Sequence, residues 1–149
     1  MRNARGALVA LALVLAAPVG AQETADSLIG LPGVEVSIIM RSNVELVAPA
    51  MTAKLRNAGI PMVAGAPAQL RLDAQVARSE APGVAAFMVE LHLTQLVDVR
   101  ANGRRALVPT WNRRRLGLAT DERLTSEVQS AVLGLVDEFV KAWASVNVR

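Results

Sequence analysis

The sequence predicts an α+β fold: a two-layer sandwich in β-α-β-β-β-α order, with two helices covering one face of a mixed or antiparallel four-stranded sheet. Three observations predict it. Residues from Asp121 to Trp143 carry one apolar helical stripe, the stretch 85–118 reads as a long hairpin folded at Asn102-Gly103, and 68–77 alternates between apolar and polar residues. A helix with one apolar face and strands with one wet face must bury those faces against each other, and one sheet under two helices does so.

Val34–Met40 (VEVSIIM) is rich in β-branched residues and partly alternating, which predicts the first strand. Pro32 and Gly33 punctuate its start. Over Asn43–Ala58, Val47, Met51, Leu55 and Ala58 recur at helical spacing. Pro49 fits the first turn, where its missing N–H costs nothing, and Gly59 fits the left-handed position after the last turn. Ile60-Pro61 then prevents continuation.

In Ala68–Ala77, Leu70, Leu72, Ala74 and Val76 share one side and Gln69, Arg71, Asp73 and Gln75 the other, a half-buried strand. Ser79–Gly83 supplies a turn. The third strand, from about Ala85 to Arg100, places Phe87, Val89, Leu91, Leu93, Gln95, Val97 and Val99 on one face. Asn102-Gly103 is a strong hairpin signal, and the return strand covers Ala106–Leu118. A strict two-residue turn would set Arg114 opposite Leu91 on the apolar face, which is costly for an unpaired charge. A longer loop or a bulge near Pro109 is therefore expected, and a one-residue shift brings Trp111 inward. In the final helix Leu124, Val128, Ala131, Val132, Leu135, Phe139 and Trp143 form the stripe, widened by Leu133, Val136 and Val140. Asp121 and Glu122 stand at its positive end.

The first residues have a different character. Arg2 and Arg5 precede an apolar run from Ala7 to Ala17, then Pro18, Gly20 and a small-residue site, the order of a cleavable secretory signal over residues 1–21. The run is far shorter than the roughly 20 residues a membrane-spanning helix needs. Residues 22–149 are then expected to form one domain in the periplasm or outside the cell, with no transmembrane helix. The chain has no cysteine, so that domain relies on packing rather than disulfides and offers no acylation site for a lipoprotein. Of 16 basic and 13 acidic residues, Arg2 and Arg5 belong to the leader, which leaves the domain close to neutral.

Local charge is more informative. Arg100, Arg104, Arg105, Arg113, Arg114, Arg115 and Arg123 fall in one stretch, and five of them (Arg104, Arg105, Arg113, Arg114, Arg115) lie on the two arms of the hairpin. They are candidate contacts for a protein or an anionic lipid or glycan, or else charges that protect a sheet edge. Glu90 and Asp98 are placed to neutralise some of them across the strands. Trp111 sits among them as a candidate contact residue, while Trp143 continues the helix stripe. Met40, Met51, Met62 and Met88 read as core filler.

No catalytic constellation emerges. His92 is the single histidine and shares a face with Glu90 and Thr94, with no cysteine and no Gly-x-Ser-x-Gly elbow to complete a triad. One histidine without clustered acids does not make a metal site, and no cofactor is expected. The pairs Asp121-Glu122 and Asp137-Glu138 are adjacent residues pointing about 100° apart on a helix, unable to bracket a glycosidic bond. The first suits the helix dipole and the second a solvated face. Too few aromatics interleave the arginines for a nucleic-acid platform.

Several stretches carry a family pattern. They are Leu28-Ile-Gly-Leu-Pro-Gly-Val34, Lys54-Leu-Arg-Asn-Ala-Gly-Ile60, the strand Val89-Glu-Leu-His-Leu-Thr-Gln-Leu-Val97, Thr110-Trp111, Asp137-Glu-Phe-Val140 and Trp143-Ala-Ser-Val-Asn147. Together they resemble a group of small exported bacterial proteins with no assigned function, over nearly all of the chain beyond the leader. In element order the chain is similar to envelope lipoproteins that assist transport, such as the lipopolysaccharide-assembly lipoprotein and the auxiliary lipoproteins of lipid ABC transporters. That similarity implies an adaptor or plug that does no chemistry, although the lipid-modified cysteine of those proteins is missing here. The expectation is a non-enzymatic, exported binding or adaptor protein of the bacterial envelope. Its alternative is a lipid or amphiphile carrier, with a ligand cavity lined by residues such as Leu91, Leu93, Val132 and Leu135.

Overall fold

In the computed structural model, which describes residues 25–40, 47–78 and 83–147, a short 3-10 turn at Ala25–Leu28 leads into six elements. They are strand β1 (Glu35–Met40), helix α1 (Val47–Asn57), strands β2 (Ala68–Arg78), β3 (Val84–Val99) and β4 (Arg104–Thr120), and helix α2 (Leu124–Asn147). The order is β-α-β-β-β-α, as expected. The leader, residues 43–46 of the expected first helix, positions 79–82 of the expected turn and the Met40 side chain fall outside the described residues.

The sheet runs β1-β2-β3-β4 and is mixed: β1 pairs parallel to β2, while β2–β3 and β3–β4 are antiparallel. A parallel pair needs a crossover, which α1 supplies. Helix α1 buries Val47, Met51 and Leu55. It stops where the sequence says: the Gly59 N–H donates to Arg56 O (2.9 Å) and the Ile60 N–H to Leu55 O (3.1 Å), the paired bonds of a Schellman cap. Ala58 lies past the last turn and is exposed, so it leaves the stripe assigned to it.

Two expectations at α2 change. The helix begins at Leu124, so Asp121 and Glu122 lie in the turn before it. Asp121 Oδ1 instead accepts a hydrogen bond from Arg78 Nη1 at 2.5 Å, tying the end of β2 to the β4–α2 turn. The apolar stripe itself is as read, with Leu124, Val128, Val132, Leu135, Val136, Phe139 and Trp143 all buried.

The hairpin shows how register is set. Val99 pairs with Arg104, so Asn102 and Gly103 are the last two residues of a four-residue loop rather than a two-residue turn. Within it the Gly103 N–H donates to Val99 O (2.9 Å), and Asn102 Oδ1 accepts from the Arg104 N–H (3.1 Å). From that loop the ladder runs to Thr94–Pro109, then resumes as Leu93–Trp111, leaving Thr110 as the extra residue of a bulge. Without the bulge Trp111 would face His92 on the side away from the helices. With it, Trp111 is 1% exposed and packs edge-on against Phe139, ring centroids 5.1 Å apart at 73°.

The core lies between the sheet and α2, filled by Leu70, Leu72, Val89, Leu91 and Leu93 from the strands. Met51 belongs to it and Met62 packs against it, whereas Met88 is half-buried on the opposite sheet face and is not core. Asn147 closes the molecule: its Nδ2 donates to Leu28 O (2.9 Å) and its Oδ1 accepts from the Gly30 N–H (3.0 Å). The first and last of the family-like stretches therefore meet.

Candidate functional site

After the bulge, β4 alternates sides with each residue. Arg113 stands opposite Leu91, Arg115 opposite Val89 and Gly117 opposite Phe87, all facing the helix layer. Asn112, Arg114, Leu116 and Leu118 stand opposite His92, Glu90, Met88 and Ala86 on the open face of the sheet. The arginine run is therefore split by the pleat.

Arg113 and Arg115 converge on one acid. Arg115 Nη2 pairs with Glu138 Oε1, and Arg113 Nε lies 3.7 Å from Glu138 Oε2. The Arg113 guanidinium also sits 5.3 Å above the Trp111 ring, a cation–π contact at the margin of the core. These two side chains clamp β4 to α2. Asp137 pairs in the same way with Lys54 of α1. The pair Asp137-Glu138 is partly exposed, as a solvated face would be, and also ties α2 to α1 and to β4. Trp111, a candidate contact residue in the sequence, is a core residue, because the bulge turns it inward.

The other arginines sit differently. Pairing between β2 and β3 ends at Ala68–Gln95, so residues 96–99 and 104–107 form a two-stranded arm beyond β2. Arg100 and Arg104 are exposed on it, and Arg105 Nε donates to Asp98 Oδ1 at 3.1 Å. Leu96 (48% exposed) and Leu107 (63%) lie opposite each other on its open face. Arg114 is exposed further along the same face.

Between the arm and Leu116 the open face is polar. Ser37, Arg71, His92 and Asn112 form one row across the four strands. Ser37 is two strands from His92, about 9.5 Å by strand spacing, with Arg71 between them. Glu90 Oε1 accepts from Asn112 Nδ2 at 2.7 Å rather than binding an arginine. Among the described residues no group of three or more His, Cys, Asp or Glu is placed to hold a metal ion, and no helix is long and apolar enough to cross a membrane. Leu91, Leu93, Val132 and Leu135 are at most 1% exposed and belong to the packed core. Surface clefts of about 410 Å³ beside Gly117 and Gly134, and of about 480 Å³ between β1 and α1, are lined by other residues.

Fold and site define a two-layer α+β sandwich whose second sheet face no element covers among the described residues, with a cationic, leucine-bearing hairpin arm. No family model matches the chain, and no curated protein matches it. Among solved structures it is similar to a minor lipoprotein from Acinetobacter baumannii, at 11% identity over 74% of this chain and 90% of that one, with a TM-score of 0.39. A likeness this distant carries no argument about activity or partner.

Proposed function

We propose that the protein is a non-enzymatic, exported adaptor of the bacterial envelope, and that the hairpin arm is its contact with a protein partner. The observation that carries this reading is the arm itself. Leu96 and Leu107 are exposed side by side on strands that β2 no longer flanks, with Arg105 on the same face and Arg100 and Arg104 toward the tip of the arm. An apolar centre with a cationic rim is the composition of a protein contact, where the apolar pair supplies burial and the arginines supply orientation toward acidic groups. The signal-like leader supports the location.

A photo-crosslinking residue at Leu107, compared with one at the exposed Gln75 of β2, tests the proposal in cells. The expected result is one recurrent envelope protein captured from Leu107 and not from Gln75, and lost when Arg104 and Arg105 are replaced by serine. Capture of lipid alone, or equal capture from both positions, would contradict the adaptor reading.

A further inference from the structure

The hairpin arm changes pattern where the sheet beside it stops. Over residues 89–94 strand β3 turns Val89, Leu91 and Leu93 into the core and Glu90, His92 and Thr94 away from it. From Ala68–Gln95, the last pair made with β2, the hairpin becomes apolar on both faces. Leu96 and Leu107 lie on the open face, and Val97, Val99, Ala106 and Val108 on the face turned to the helix layer. The first two are exposed. The other four are half-buried, yet none of them packs against the core, whose last pair on these strands is Leu93–Trp111. Strands apolar on both faces are the kind that is covered on both, and a lone two-stranded ribbon is marginally stable in water. The charges gather toward the tip. Arg100 and Arg104 flank the loop, exposed and with no ion pair among the described residues, while Arg105 is held by Asp98.

We propose that the arm enters a slot in the partner protein loop first, with apolar walls against both of its faces and carboxylates at the floor. This rests on the adaptor reading above and gives its partner a shape. Contact through the open face alone would cover Leu96 and Leu107 and leave Val97, Val99, Ala106 and Val108 without apolar neighbours from the partner. A slot covers both sets. Charge sets the direction of entry: Arg100 and Arg104 lead, and two unpaired guanidinium groups call for acidic groups where they arrive. The same feature selects protein over lipid, because a bilayer entered by this arm would have to take both arginines deepest, where charge is most costly. Four pairs, from Leu96–Leu107 to Val99–Arg104, extend past β2, so the slot is about 13 Å deep at the usual rise of a strand.

The test uses the full chain, which has no cysteine of its own, and two adjacent residues on opposite faces of the arm. Ala106→Cys and Leu107→Cys are labelled with a charged maleimide in intact cells and as purified protein, with folding checked by circular dichroism and rates normalised to Gln75→Cys. The expected result is labelling about tenfold slower in cells at both positions, as for a site occupied in about nine of ten molecules. Adding Arg100→Glu and Arg104→Glu should return both to the purified rate, and photo-crosslinkers at Ala106 and Leu107 should capture the same envelope protein. Slow labelling at Leu107→Cys alone would overturn the slot and leave the adaptor reading standing, whereas the purified rate at both positions would remove the two together. Slow labelling that survives the two glutamates would overturn the acidic floor. Crosslinks between two copies of the chain would overturn the separate partner.

Discussion

Arg113 and Arg115 on one hand, and Arg104 and Arg105 on the other, are the same residue type on the same strand, yet they are built for different tasks. The first two point at α2, share Glu138 and, for Arg113, cover Trp111. The second two lie on an arm that leaves the sheet, where Asp98 binds Arg105. The bulge at Thr110 turns Arg113 and Arg115 toward α2, while Arg104 and Arg105 lie on strands that have run past β2. Residue type and proximity in sequence therefore say little about a cationic patch. What lies over each residue decides its role: Arg113 and Arg115 stand against α2, whereas Arg104, on the same side of the strand, and Arg105, on the other, lie on the arm beyond β2.

The largest break in this comparison comes from its pivot. Trp111→Ala should cost about 3–5 kcal/mol, the range for removing a buried large aromatic side chain, in chemical denaturation. A surface tryptophan would cost almost nothing. Gly117→Ala comes next, since an added Cβ would lie 2.4 Å from the Phe87 ring, and overpacking of this kind costs about 1–3 kcal/mol. Its effect should be relieved by Phe87→Leu in the same chain, measured as a thermal midpoint that recovers in the double variant. Glu138→Gln should cost about 1 kcal/mol or less, because the clamp is half exposed and screened by water. A double-mutant cycle with Arg115→Gln should show coupling, whereas one with Arg104→Gln should show none. Smallest of all, Arg104→Ser with Arg105→Ser should shift stability by about 0.5 kcal/mol or less, as for ordinary surface changes.

The sequence was readable where local rules agreed. Periodicity marked α2 because its stripe and its burial coincide, and Gly59-Ile60-Pro61 marked the end of α1 because the cap depends only on adjacent residues. The conflict of Arg114 with Leu91 was enough to expect a longer loop or bulge and an inward Trp111. It was not enough to place Arg113 and Arg115, since their partner Glu138 is more than 20 residues away in sequence, and only the packed helix brings it over the strand. The roles of Asp121 and Asp137 were hidden for the same reason: Arg78 and Lys54 reach them through tertiary structure alone. The exposed Leu116 and Leu118 look like core residues by composition, and the register past the bulge is what turns them out.

The most direct test of the account compares two double variants, Arg113→Ser with Arg115→Ser and Arg104→Ser with Arg105→Ser, each measured for unfolding free energy and for crosslinking from Leu107. The account predicts that the first pair lowers stability and keeps the crosslinked partner, while the second keeps stability and loses the partner. Loss of the partner with the first pair at unchanged stability, or destabilisation by the second, would contradict the division of the arginines between fold and contact.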